Sequence, residues 1–456
     1  MGKKSHMNLK FLKIFDAAPP IEPLDVDSAE YKKTYRYYRI RIMYTTMIGY
    51  ALFYFVRKNM SLALPGMEAE LGITKAQLGL FLTLHGLLYG VSKLFNGILG
   101  DRANPRYFMA AGLALSAIMN ILFGMSSTVL AFGLFWMING YFQGMGFPPC
   151  ARSVTHWFSA SERGTKFAIW NTSHSIGASL VLVLTSFLVV YDWRLAFYVP
   201  AGIALLGAAF LVWWLRDTPE SLGLPAVEVY KNEIADSEPA HQVNWKEQKQ
   251  YLIKYVFKNP MIWVLAFANF FLYTVRFAIL DWGPSFLTEM KGVDITQAGW
   301  IVAGYEVFGI AGMLVSGWLM DRVFKGRGGR AAFFYMLACT IAIYLFWRLP
   351  SDSPYVYASL LSAIGFFIYG PQALVGTMAA NLATKKVAAA AIGLTGLFGY
   401  LSGILSGWGL GYVVDHSGWN QGFLLLIFAG IAGTFFFALT WNAVGPHIKK
   451  NKVLPK

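Results

Sequence analysis

The stretch GYALFYFVRKNMSLALP, Gly49 to Pro65, is apolar and aromatic up to Val56, then places Arg57 beside Lys58, then turns apolar again. Its surroundings decide how it is read. The chain is 56% hydrophobic and 14% charged, with a mean hydropathy of +0.48. A soluble domain is usually about 25% charged. Apolar runs of roughly 20 residues recur, each long enough to cross about 30 Å of hydrocarbon. Only helices and closed barrels satisfy their backbone in lipid, and barrel strands alternate over roughly ten residues. The runs do not alternate, so the sequence predicts an all-α membrane protein in a lipid bilayer. No cleavable signal peptide is legible in the polar, basic first forty residues.

Hydropathy places about twelve transmembrane helices, at 37–64, 78–100, 107–126, 130–151, 166–191, 193–215, 262–288, 298–322, 331–349, 355–379, 388–413 and 421–445. The net charge of +14 is arranged by topology. Most Lys and Arg fall in the tails and in the alternate loops that begin with DRANPR, whereas MSSTVLA (125–131) and DHSGWN (415–420) have none. This is the positive-inside pattern with both termini cytoplasmic. It accounts for the basic excess without nucleic acid. Cys150 and Cys339 lie in apolar segments and fit neither a disulfide framework nor a metal site.

The polar stretch near 216–261 divides the chain. It separates an N-terminal tail (1–36) and a six-helix half (37–215) from a second half (262–445) and a C-terminal tail (446–456). The halves echo each other. GILGDR ends on Asp101 and Arg102, and GWLMDR ends on Asp321 and Arg322, so the Gly, Asp and Arg of the two words keep one constant offset. Read alone, these are ordinary loop turns. Read with the span count, they indicate two pseudo-symmetric halves with a substrate site between them near the midplane.

Arg57 then acquires a counterpart. LYTVRFAILDW, Leu272 to Trp282, puts Arg276 in the first helix of the second half, within one position of the offset that relates the loop words. An arginine at a membrane-helix centre costs about 2.5–3.5 kcal/mol unless hydrated, paired or functional. Lys58 and Lys93 add to that cost, and only Asp281 and Glu306 stand out as carboxylates at comparable depth. Asp281 is five residues after Arg276, about 140° round an ideal helix, and so is not its obvious partner. The surplus positive charge calls for an anionic ligand. The competing reading is snorkelling, since Arg57 is only about 24 Å of helix beyond Arg41. Tyr50, Tyr54 and Arg57 share a face at i, i+4 and i+7, and Tyr273 shares one with Arg276. Tyrosine donates to an anion without adding charge, although each of these rings also fits core packing. Guanidinium grips phosphate bidentately, so a facing arginine pair suits a phosphate dianion. The pKa of a free histidine, about 6.5, resembles the second pKa of a phosphate ester, about 6, which singles out His174. It reads either as a ligand sensor or as a packed core residue.

Taken in order, GYALFYFVRKN, YGVSKLFNG, GYFQGMGFPPCAR, HWFSASERGTK, IWNTSHSIG, LYTVRFAILDW, GYEVFGIAG, FIYGPQ and GLTGLFGYLSG closely resemble the organophosphate:phosphate antiporters of the major facilitator superfamily. The resemblance covers nearly the whole chain and implies that superfamily's twelve-helix fold. It implies that Arg57 and Arg276 bind phosphate and that His174 belongs to the site. Tyr50, Tyr54, Tyr369 and Tyr400 become cavity residues, with Lys93 and Glu306 as further matches. The implied activity is import of a sugar phosphate in exchange for inorganic phosphate, by a monomer in the bacterial inner (plasma) membrane, with no cofactor. RKN, LYTVRFAILDW and GLTGLFGYL resemble glycerol-3-phosphate members most. FIYGPQ and PESLGLPAVE lean towards hexose-phosphate members and their sensor relative. The Asp and Lys typical of one hexose-6-phosphate branch would fall at Ile392 and Thr395 and are absent. The sugar therefore stays open, as does a membrane sugar-phosphate sensor of the same fold. A proton-coupled carrier of another anion is a further rival. An enzyme is disfavoured, because no His, Asp and Glu group has ligand spacing.

Overall fold

The computed structural model describes residues 14–21, 29–100, 103–232, 245–350, 353–383 and 387–443. They fold almost wholly as helices. The first half holds α1 (Ala29–Phe55), α2 (Met60–Leu71), α3 (Lys75–Gly100), α4 (Pro105–Gly124), α5 (Val129–Gln143), α6 (Phe147–Trp157), α7 (Ala160–Leu188) and α8 (Leu195–Trp214). Short α9 (Val227–Tyr230) and α10 (Trp245–Leu252) follow. The second half holds α11 (Pro260–Lys291), α12 (Ile295–Trp318), α13 (Gly328–Arg348), α14 (Pro354–Leu382), α15 (Ala388–Leu401) and α16 (Leu410–Leu439). Among the described residues, eight helical stretches are long and apolar enough to cross a membrane by length and composition alone. One of them, Ala390–Leu439, contains two passes separated by a kink at Gly418. The pairs α1–α2 and α5–α6, together with α3, complete the twelve crossings.

Helix ends follow local chemistry. The Asn104, Thr128, Asn259 and Asp294 side chains accept backbone N–H bonds at the starts of α4, α5, α11 and α12, satisfying donors that a helix leaves open. Pro105 and Pro260 take the first helical position, where a missing N–H costs nothing. The turn after the first crossing of each half closes on a left-handed glycine, Gly72 (φ 62°) or Gly292 (φ 64°). These two glycines keep the offset of the loop motifs. The repeat extends to packing. A Cβ on Gly140 would lie 2.4 Å from the His85 carbonyl oxygen, and one on Gly365 would lie 2.1 Å from that of Tyr305. His85 and Tyr305 keep the same offset again, so equivalent helix pairs approach through equivalent glycines.

The two halves differ at their first crossing. Hydropathy predicts a continuous helix over 37–64. Instead α1 ends at Phe55 and α2 begins at Met60, leaving Arg57 and Lys58 on the unwound link. Unwound backbone inside a bundle needs substitute partners. The Val56 carbonyl accepts from Asn120 Nδ2 and Asn139 Nδ2, both at 2.9 Å, and the Phe53 carbonyl accepts from Gln143 Nε2 at 3.1 Å. Asn59 Nδ2 donates to Asn120 Oδ1 and to the Ala196 carbonyl. The sequence reading also places the helical face of Tyr50 and Tyr54 through Arg57; the structure corrects this, because the helix ends before Arg57. In the second half α11 runs unbroken past Arg276 to Lys291.

The central stretch does not begin as a free loop. Asp217 pairs with Arg152 at 2.9 Å, and its carbonyl accepts from Trp157 Nε1. Ala18 N–H donates to Asp217 and Ile21 N–H to the Glu220 carbonyl, so the segment at 14–21 and the start of RDTPESLGLP are tied to the first half. At the end of the bundle remote from the start of α1, the halves touch. Asp415 accepts from the backbone N–H groups of Lys75 and Ala76, Thr83 donates to the Gly403 carbonyl at 2.7 Å, and Lys75 pairs with Glu68 and Glu289.

Asn120 is the hub of the link. Replacing it by leucine removes two donors and an acceptor from a fully buried position. Each stranded polar group costs about 1–3 kcal/mol. Asn120→Leu should therefore lower the thermal midpoint of the purified protein clearly, whereas Ile118→Leu on the exposed side of α4 should leave it nearly unchanged.

Candidate substrate site

Lys58 leaves the α1–α2 link and meets Asp281 of α11 at 2.6 Å, with both side chains largely buried. The pair joins the two halves. It also explains why Asp281 points away from Arg276: its partner is in the other half. Arg57, one residue earlier, rests on the rings of Tyr54 (5.2 Å) and Tyr89 (4.2 Å). Both contacts suit a guanidinium, which stacks on aromatic faces.

Arg276 sits in α11, buried. Its Nη2 donates to Tyr369 OH at 3.0 Å, and that hydroxyl donates to Glu306 Oε1 at 2.5 Å. Its guanidinium also lies 4.8 Å from the Tyr369 ring centre and 5.4 Å from that of Tyr273. Tyr305 OH donates to the Arg276 carbonyl. Two polar atoms remain without a hydrogen-bond partner in this buried network, Arg276 Nε and Glu306 Oε2.

His174, on α7, joins the arginines. Its ring stacks on Tyr54 (5.6 Å) and on Tyr369 (6.0 Å), so a run Tyr54–His174–Tyr369 links the ring under Arg57 to the hydroxyl on Arg276. Its Nδ1 lies 3.1 Å from Ser175 Oγ. Tyr50 packs at 5.7 Å from Tyr54 and 4.7 Å from Trp170, behind this layer. On the other side, Lys93 of α3 reaches Tyr400 OH at 3.1 Å. Its ammonium stands among the rings of Tyr89, Phe147 and Tyr400. Tyr400 packs edge-on against Tyr89 and Tyr273.

The structure thus brings together Arg57, Lys58, Lys93, Arg276, His174, Tyr50, Tyr54, Tyr273, Tyr369, Tyr400, Asp281 and Glu306. It does not bring Asp321 and Arg322 there. They are exposed on a π-helical turn (Leu319–Val323) that extends α12, about 22 Å of helix beyond Glu306. Asp101 and Arg102 lie outside the described residues. Tyr89, four residues before Lys93 and on its helical face, is legible from that spacing; Ser175 and the amides beneath the link are the additions that the sequence did not single out. Their only sequence signal is polarity inside apolar spans. Cys150 and Cys339 are buried free thiols, and no cluster of metal-ligating side chains occurs among the described residues.

The charges can be tallied. Four cations share the site with two carboxylates, and Arg57 and Lys93 have no carboxylate partner among the described residues. Two positive charges stay uncompensated in a largely buried, aromatic-walled centre.

Residues 46–407 match the family model of the Major Facilitator Superfamily. The chain belongs to that superfamily. It is 43% identical over 438 residues to a glycerol-3-phosphate transporter of Bacillus subtilis, covering 94% of this chain and 98% of that one. It is 41% identical over 460 residues to a probable hexose phosphate transport protein of Chlamydia muridarum, covering 98% and 100%. It is also 40% identical over 426 residues to the membrane sensor protein UhpC of Escherichia coli, covering 93% and 96%. Within the superfamily these relatives place it in the organophosphate:phosphate antiporter family. It is a multi-pass bacterial membrane protein of a transporter family, not an enzyme.

Lys58 and Asp281 make a sharp test of the inter-half contact. Removing one partner of a buried pair leaves an uncompensated charge, which costs about 3–5 kcal/mol, whereas replacing both is often close to neutral. Lys58→Ala and Asp281→Ala should each lower the thermal midpoint strongly, and the double variant should recover most of the loss. Additive losses in that cycle would contradict the pairing.

Proposed function

We propose that this chain imports a sugar phosphate in exchange for inorganic phosphate, by alternating access between its two halves. One observation carries the reading. Two cations without a carboxylate partner, together with a buried Arg276 Nε that lacks a partner, stand in one aromatic centre with Arg57 and Arg276 on different halves. A phosphate dianion supplies two negative charges and acceptors for guanidinium forks. The resemblance to named glycerol-3-phosphate and hexose phosphate carriers supports the same ligand chemistry. By the positive-inside distribution, both termini face the cytoplasm of the bacterial inner membrane. A monomer suffices, since the site is built within one chain.

The mechanism follows from charge. Closing the centre with no ligand brings unpaired cations into a low-dielectric interior, which is costly. A bound phosphate bridges the halves and removes that cost, so the occluded state is reached with ligand and avoided without it. Exchange is then fast and empty return slow. The Lys58–Asp281 pair joins the halves at the same level, and a phosphate on Arg57, the neighbouring residue, competes for that region's positive charge. A second reading has support in the similarity to the membrane sensor protein UhpC. A sensor keeps the binding residues and signals without moving cargo.

Uptake of labelled phosphate into vesicles preloaded with phosphate tests the proposal. Exchange that collapses when the trans side is empty is the expected result. Equal rates with and without trans phosphate would refute antiport, and ligand binding without uptake would favour the sensor. Arg57→Lys and Arg276→Lys should each cut exchange by about 100-fold or more, because lysine keeps the charge but loses the fork. His174→Gln should change the pH profile of exchange more than the yield of folded protein. An unchanged profile would assign His174 to packing between Tyr54 and Tyr369.

A further inference from the structure

The start of α1 carries a charge pattern that the arginine centre does not use. Lys32, Lys33, Arg36, Tyr37 and Ile40 fall at i, i+1, i+4, i+5 and i+8, one face of the helix, and all are exposed. The opposite face, with Tyr31, Tyr35 and Ile42, is buried in the first half. The five exposed residues and Tyr230 of α9 line an open groove of about 610 Å³. Among the described side chains, no carboxylate pairs with Lys32, Lys33 or Arg36.

Neighbouring side chains locate the bilayer surface. Tyr44 accepts from Trp214 Nε1, and Trp213 is 73% exposed at the end of α8. Tyrosine and tryptophan gather at the membrane–water boundary. Arg41 donates to the carbonyls of Trp213 at 3.2 Å and Trp214 at 2.9 Å, and so ties α1 to the end of α8 at this level. On the exposed face of α1, Ile40, Tyr44 and Ile48 then run into the apolar span at steps of four. Arg36, Lys33 and Lys32 precede Ile40 by four, seven and eight residues, about 6–12 Å of helix. The headgroup layer adds roughly 5–7 Å to each side of the hydrocarbon, so the three cations stand in it or at its outer edge.

We infer that this groove binds the headgroup of an anionic phospholipid. The phosphate lies on Lys32, Lys33 and Arg36, and the acyl chains follow Ile40, Tyr44 and Ile48. Two features select a lipid over a soluble phosphate. The cations are exposed, where salt screens a small anion and leaves it weakly held. The apolar stripe that continues from the groove gives acyl chains an adjoining surface, which a soluble phosphate cannot use. Three cations together favour an anionic headgroup over a zwitterionic one by on the order of 100-fold before salt screening. Tyr230 stacks on the buried Tyr35 at 4.0 Å, and the next residue, Lys231, reaches Glu162 of α7 at 3.5 Å. A headgroup in the groove therefore touches α1 and the start of the central stretch together, and holds that stretch at the membrane surface. The inference does not depend on which ligand the arginine centre takes.

Native mass spectrometry of the full-length protein, titrated with phosphatidylglycerol or phosphatidylcholine, tests this. The parent is expected to bind one phosphatidylglycerol at least tenfold more tightly than phosphatidylcholine. The triple variant Lys32→Gln, Lys33→Gln and Arg36→Gln should bring the two within about twofold. A charge-matched control, Lys254→Gln, Lys258→Gln and Lys325→Gln, removes three exposed cations of the second half and should keep the parent's ratio. An unchanged ratio in the first variant, or an equal loss in the control, overturns the site and leaves only diffuse attraction between the protein and an anionic surface. Displacement of the lipid by millimolar inorganic phosphate, at ionic strength matched with chloride and in Arg57→Lys as in the parent, overturns the lipid assignment in favour of a soluble anion.

Discussion

The carbonyl groups of Phe53 and Val56 cannot be left bare inside a helix bundle. Asn120, Asn139 and Gln143 hold them, and the arrangement of the first half follows. With those partners the first crossing can stop at Phe55 and resume at Met60. Without them, an unwound link at that depth would strand several polar groups at a cost the fold could not offset. The link is what lets two successive residues serve different ends. On a continuous helix Arg57 and Lys58 would diverge by about 100°. On the link Arg57 lies over Tyr54 and Tyr89 while Lys58 crosses to Asp281.

From that point the electrostatics of the centre is constrained. Asp281 compensates Lys58, and Glu306 reaches Arg276 through the Tyr369 hydroxyl. Aromatic faces, weaker partners than carboxylates, hold Arg57 and Lys93. The centre is therefore stable enough to fold yet still attractive to an anion. Pairing all four cations would have made a rigid core with no reason to bind. The tyrosines serve both purposes, packing the interior and presenting hydroxyls without charge.

The repeat explains why the site lies between the halves, and departures from it explain why the site is not symmetric. Gly72 and Gly292, and His85 and Tyr305 at the close approaches of Gly140 and Gly365, keep a common register. Arg57 and Arg276 keep it to within one position. Lys58, however, corresponds to Phe277, and Glu306 to Gly86. One half contributes a broken first helix and two extra cations, Lys58 and Lys93. The other contributes an intact helix and both carboxylates. A ligand bridging the halves would thus meet unlike surfaces.

Much of this was legible in the chain. Long apolar runs fixed the helices, because lipid leaves the backbone few alternatives. The constant offset between GILGDR and GWLMDR revealed the duplication, because a repeated fold keeps its turns. Arg57 and Arg276 stood out because charge is expensive where they lie. Three matters were decided only by tertiary structure. The break at Val56–Asn59 was hidden, since its cause is three amides on neighbouring helices and not the composition of the segment itself. The Lys58–Asp281 pair was hidden, since its partners are far apart in the chain and only the docking of two halves brings them together. The buried, unpartnered carbonyl oxygens of Asn269 and Gln372 were hidden as well. Hydropathy shows that a polar group is buried, but only the packed structure shows whether a partner reaches it.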